Sequence, residues 1–69
     1  MRLHSLSASR LQVERFNADH PIGNPVTYRA TPWRRVDTRT ASKAHMVGTD
    51  AVVFVLGQGR VPLDRVTPA

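Results

Sequence analysis

One segment narrows the folds open to this chain more than any other: Ala51-Val52-Val53-Phe54-Val55-Leu56, followed by Gly57-Gln58-Gly59 and then Arg60-Val61-Pro62-Leu63. Six apolar residues run together, and β-branched and aromatic side chains dominate them. Such a run suits a pleated surface covered on both faces, the position of a central strand. It is far short of the roughly 20 residues that cross a bilayer. The glycines after it supply a tight hairpin connection. The next segment therefore returns as a short partner strand, and Pro62, which lacks an N–H, assigns that partner to a sheet edge.

The rest of the chain can be read around this hairpin. Val26-Thr27-Tyr28-Arg29-Ala30 alternates, with Val26, Tyr28 and Ala30 on one face and Thr27 and Arg29 on the other, so it reads as a half-buried strand. Residues 31–37 carry Pro32 and no sustained period and read as an exposed loop. From Thr38 to Val47 the alternation is weak. A strand with Thr40, Ser42, Ala44 and Met46 inward and Arg39, Lys43 and His45 outward is the reading adopted, and a helix over 41–47 is its rival. Gly48-Thr49-Asp50 forms a turn, and Val66-Thr67 adds a last short strand.

Ahead of the strands, residues 1–10 are small and polar and read as a flexible arm. A short helix follows over about 12–19, opened by a Ser9–Gln12 capping box or by Gln12 as the cap, with Val13 and Phe16 as its apolar stripe. Pro21 ends it. With 69 residues there is room for one domain. About five short antiparallel strands must curl to bury one apolar face, so the expected fold is mainly β: a small SH3-like barrel over residues 11–69, with the short N-terminal helix plugging one open end through Phe16.

Composition removes several functions. There is no cysteine, which excludes disulfides, thiolate zinc sites and catalytic thiols and implies a reducing, cytoplasmic setting. His4, His20 and His45 have no metal-binding spacing, the five carboxylates are scattered, and the glycines sit at turns without a nucleotide fingerprint. No catalytic set, metal or cofactor is expected, and no membrane partner. Ten basic residues stand against five acidic ones, for a net charge of +5, and nine of the ten are arginine. Arginine offers planar, forked donors to phosphate and carboxylate.

The stretch Phe16-Asn17-Ala18-Asp19-His20-Pro21-Ile22-Gly23-Asn24-Pro25-Val26-Thr27-Tyr28 resembles a lead-in that recurs in small uncharacterised proteins of phages and prophages. The later pattern, Thr38-Arg39-Thr40 through Val52-Val53-Phe54-Val55 and Gly57 to Val61-Pro62-Leu63-Asp64-Arg65-Val66, is similar to the same group. The likeness covers about residues 11–67. It implies an SH3-like barrel of mobile-element origin, acting in the host cytoplasm, and it carries over no functional residue.

The sharpest functional feature is a basic-aromatic cluster, Tyr28, Arg29, Trp33, Arg34, Arg35 and Arg39, within twelve residues. A tryptophan on an exposed loop between arginines is equipped to grip a partner protein, since Trp and Arg dominate interface hot spots. It can equally stack a base while the arginines hold phosphates. Lys43 extends the basic set along the next strand. The expectation is a non-enzymatic binding module that docks on a host or phage protein through Arg29, Trp33, Arg34, Arg35, Arg39 and Lys43. Nucleic acid is the alternative partner, and a homo-oligomer pairing through edge strands, one of them only partly guarded by Pro62, is a third possibility. The bland reading is that Trp33 folds back over the open edge of the barrel.

Overall fold

The computed structural model describes residues 4–69, with side chains from Ser7 onward. The order of elements is α1 (His4–Asp19), β1 (Pro25–Thr31), β2 (Arg34–Arg39), β3 (His45–Val47), β4 (Asp50–Val55), β5 (Gly59–Pro62), a single 3₁₀ turn (Leu63–Arg65) and β6 (Val66–Pro68). The chain is mainly β, as the alternation and the β-branched run require. Its strands form two three-stranded antiparallel sheets, β2-β1-β6 and β3-β4-β5. A single bridge, Thr40 to Val55, links them among the described residues, and the two sheets do not close into one hydrogen-bonded barrel.

The helix is longer than the sequence suggests. It begins at His4, so residues 4–10, expected as a flexible arm, are its first turns, while residues 1–3 of that arm lie outside the described residues. Serines such as Ser7 and Ser9 have only modest helix propensity and commonly stand at caps. Here they lie inside the helix, and neither Ser9 nor Gln12 caps it. The C-terminal end follows expectation: the helix stops at Asp19, just before His20-Pro21, and the His20 N–H closes the last turn on Phe16 O at 2.8 Å.

Residues 31–37 are not a loop. β1 runs through Thr31 and β2 starts at Arg34, so Pro32-Trp33 is the whole connection of a tight hairpin. Neither Pro32 nor Trp33 has positive φ, which rules out the primed turns whose twist best suits two-residue hairpins. The register accordingly shifts between Arg29 and Thr31, leaving Ala30 as a bulge that absorbs the mismatch. Pro32, which suggests an exposed loop in the sequence, acts here as the turn former. The expected strand over 38–47 is divided: β2 ends at Arg39, the chain bends through residues 41–44, and β3 resumes at His45. No helix forms over 41–47, and the inward–outward alternation holds across the bend, with Thr40 and Ala44 buried and Lys43 exposed.

The other turns follow their chemistry. Gly48 supplies a φ of 63° between Val47 and Asp50, a conformation β-branched neighbours could not adopt cheaply. β4 is the central strand of its sheet. Its odd-numbered side chains Val53 and Val55 are buried inward with Val26, Ala44, Val61 and Leu63, and Val13 and Phe16 of α1 pack against them. Phe54, by contrast, is exposed, so the six-residue apolar run is covered fully on one face only.

One side chain pins the helix to the sheets. Asn17 Nδ2 donates to Ala44 O at 2.9 Å, and the Ala44 N–H donates to Asn17 Oδ1 at 2.8 Å. The amide thereby satisfies both backbone groups of a buried residue at the β2–β3 bend. Asn17→Ala leaves both groups without partners, and a cost of about 2–4 kcal/mol is expected from two buried, unmade hydrogen bonds. Urea denaturation should show that loss as a lower midpoint at an unchanged slope. A change below about 0.5 kcal/mol would mean that water replaces the amide.

Candidate functional site

The sheet β2-β1-β6 turns one face to the core and the other to solvent. Val26 is buried and Tyr28 half-buried on the inner face. Period-two alternation then places Thr27, Arg29 and Thr31 outward on β1. Cross-strand register fixes their neighbours: Thr27 lies between Asp37 on β2 and Thr67 on β6, and Arg29 lies opposite Arg35. The pairing Tyr28–Val66 places Arg65, the residue just before β6, at the position that continues the arginine row. Arg35, Arg29 and Arg65 therefore stand abreast across three chain segments. Neighbouring strands lie about 4.8 Å apart, so the row spans about 10 Å.

These residues line an open cleft of about 380 Å³, together with Thr27, Thr67 and the single carboxylate Asp64. The Thr27 hydroxyl donates to Asp37 Oδ1 at 3.1 Å, which engages the other nearby acid on the same face. Like charges directly opposite one another in an antiparallel pair are unfavourable, so Arg29 and Arg35 form a pairing that folding alone does not reward.

Beyond the arginine row the hairpin ends in Trp33. Its side chain is 92% exposed, so it neither folds back nor covers an open edge. The Trp33 N–H donates to Thr31 Oγ1 at 3.3 Å, and this local bond helps fix the turn. Arg34 flanks the indole, exposed and paired in register with Thr31.

The six residues singled out from the sequence thus divide. Arg29, Arg35, Arg34 and Trp33 belong to one hairpin and lie along it in that order of approach to the tip. Arg39 lies at the far end of β2, where its Nη1 donates to Gly23 O at 3.0 Å and ties down the loop after the helix. Lys43 sits exposed in the bend before β3, outside both sheets. Neither Arg39 nor Lys43 lines the cleft. Arg65 does, and it was missed because it is 36 residues from Arg29 in sequence, a separation read from the two residue numbers. The antiparallel return of β6 beside β1 was the only signal that could have found it.

Among the described residues, no group of three His, Asp or Glu side chains is placed to hold a metal ion, and no helix is long and apolar enough to cross a membrane. Comparison of this chain with known protein families, with curated proteins and with solved structures finds no match.

Proposed function

We propose that this chain is a small non-catalytic module that binds single-stranded nucleic acid across the outer face of β2-β1-β6, on an SH3-like scaffold. The observation that carries the reading is the row Arg35, Arg29, Arg65, together with an almost fully exposed tryptophan at the tip of the hairpin that bears two of the three arginines. Forked guanidinium donors suit phosphodiester oxygens, and the hydroxyl of Thr67 can add a neutral bond to the same backbone. Trp33 offers a flat face on which a base stacks, worth about 1–3 kcal/mol per base. A base inside a duplex is already stacked on both sides, so this combination favours an unpaired strand.

Two features of the chain path support the SH3-like part of the reading: one strand region, residues 34–47, passes from one sheet to the other, and a 3₁₀ turn leads into a last strand that returns beside the first. That analogy concerns the fold alone and lends nothing to the choice of ligand. The ranking of partners differs from the one the sequence suggests. Contact with a host or phage protein drew on Trp33 and its neighbours, whereas the cleft adds Arg65 and leaves one carboxylate facing three guanidinium groups.

Fluorescence anisotropy of a labelled single-stranded oligonucleotide tests this. Three phosphate contacts predict a salt slope near −2, hence a loss of about 20-fold in affinity between about 50 and 200 mM salt. A duplex of the same sequence should bind more weakly. Absence of binding at the lower salt would overturn the proposal and return the Trp33 hairpin to a protein partner.

A further inference from the structure

The second sheet carries an unpartnered face of different character. Cross-strand register and the Thr40–Val55 bridge order the residues of this face in rows: Val47 beside Asp50, then His45, Val52 and Pro62, then Ala41, Phe54 and Arg60, then Arg39 beside Leu56; of these Val52 is already buried by its own chain. Phe54 is 41% and Leu56 56% exposed, and Val47 is exposed as well. The His45 ring stacks on Phe54 with centroids 5.9 Å apart and so holds the phenyl ring in place at the centre of the patch. A central strand that shows water a phenylalanine, followed at once by an exposed leucine in the next turn, is unusual enough to mark a contact surface.

The charges on this face have a direction. The acid Asp50 stands at the end where β4 begins, and the bases Arg39 and Arg60 flank Leu56 and Phe54 at the end where β4 finishes. We infer that the outer face of β3-β4-β5 is a self-association surface on which a second copy of this chain packs face to face with its strands reversed. A twofold axis in the interface, perpendicular to the strands and level with Val53, brings Phe54 over the His45–Val52–Pro62 row of the other copy, where it meets His45 and Pro62 above the buried Val52. It also brings Asp50 over Leu56 of the other copy, between that copy's Arg39 and Arg60. The alternative twofold, parallel to the strands, sets acid against acid and base against base. An isologous contact requires such self-complementarity, and face-to-face packing of apolar sheet surfaces is an ordinary way to supply it.

Edge-to-edge pairing is the less suitable route, since β3 has three residues and β5 ends in a proline. A chain of 69 residues with seven buried apolar side chains among the described residues also gains most from additional burial. The inference is independent of the nucleic-acid reading, because the arginine row lies on the other sheet.

Sedimentation equilibrium decides it. The wild-type chain should sediment as twice 7.7 kDa at micromolar concentrations. Phe54→Glu should weaken the dimer about 100-fold or more, by burying an unpaired carboxylate in the contact, with circular dichroism unchanged because Phe54 lies outside the core. Leu56→Glu, at a turn position, gives the same reading should Phe54→Glu fail to fold. Asp50→Arg should loosen the dimer, and adding Arg60→Asp should restore it. A wild type that stays monomeric up to millimolar concentration would overturn the inference. So would a dimer that survives Phe54→Glu and Leu56→Glu, or a charge exchange that does not restore association.

Discussion

Arg35→Glu is expected to weaken oligonucleotide binding about 100-fold while making the protein more stable. The two effects share one cause. Arg35 lies opposite Arg29 across the β1–β2 hairpin, and like charges in that position oppose folding, whereas opposite charges favour it by about 0.2–1 kcal/mol. Solvent screening keeps the gain at the lower end for exposed side chains. For a chain of this size that corresponds to a rise in Tm of about 1–4 °C. The binding loss follows from removing one charge-assisted contact, worth about 1.5–3 kcal/mol, and from placing a carboxylate beside the incoming phosphate. Thermal melts and anisotropy titrations of the same preparation read both quantities. A variant that loses binding and stability together would show that Arg35 serves the fold, and the assignment of the row to a ligand would then fall.

Leu63→Ala should leave the chain largely unfolded at 37 °C. Leu63 is 2% exposed and opens the 3₁₀ turn that carries the chain from β5 back to β6. Its side chain joins Val26, Val53, Val55 and Val61 in the buried cluster. Truncating a buried leucine costs about 2–5 kcal/mol, and a domain this small has a total stability near the low end of about 5–15 kcal/mol. Because β6 starts three residues later and completes the cleft through Arg65 and Thr67, the same substitution should dismantle the arginine row. Circular dichroism across a urea series provides the measurement. A midpoint within error of wild type would contradict the view that the turn residue anchors the core.

Much of this fold is legible in the sequence, and the places where it is not have physical reasons. The apolar run Ala51–Leu56 and the glycines around it give β4, its central position and its two flanking turns, because burial and positive φ restrict residue choice strongly. The strand Val26–Ala30 is equally plain from its alternation. Pro32 misleads, since proline is as compatible with the first corner of a two-residue turn as with a loop, and only the pairing of Thr31 with Arg34 distinguishes the two. The first turns of α1 are missed because they hold serines, whose local preferences are weak and are overruled when the rest of the helix packs on the sheets.

The site divides in the same way. The exposed tryptophan and the hairpin arginines are local features and can be read from twelve neighbouring residues. The contribution of Arg65, and the Asn17 amide that braces Ala44 across 27 positions, depend on tertiary pairing that no local pattern encodes. Arg39 shows the converse. It belongs to the cluster by sequence, yet the strand carries it to the end of β2 remote from Trp33, where it bonds the Gly23 carbonyl.

Trp33 is the chain's only tryptophan, so its own emission reports on the proposed contact without any label. Titration with a short single-stranded oligonucleotide at low salt should quench that emission to a saturating limit as a base stacks on the indole. The Arg29→Ala, Arg35→Ala double variant should require far more oligonucleotide to reach the same limit. Emission that stays unchanged throughout the wild-type titration would contradict the account.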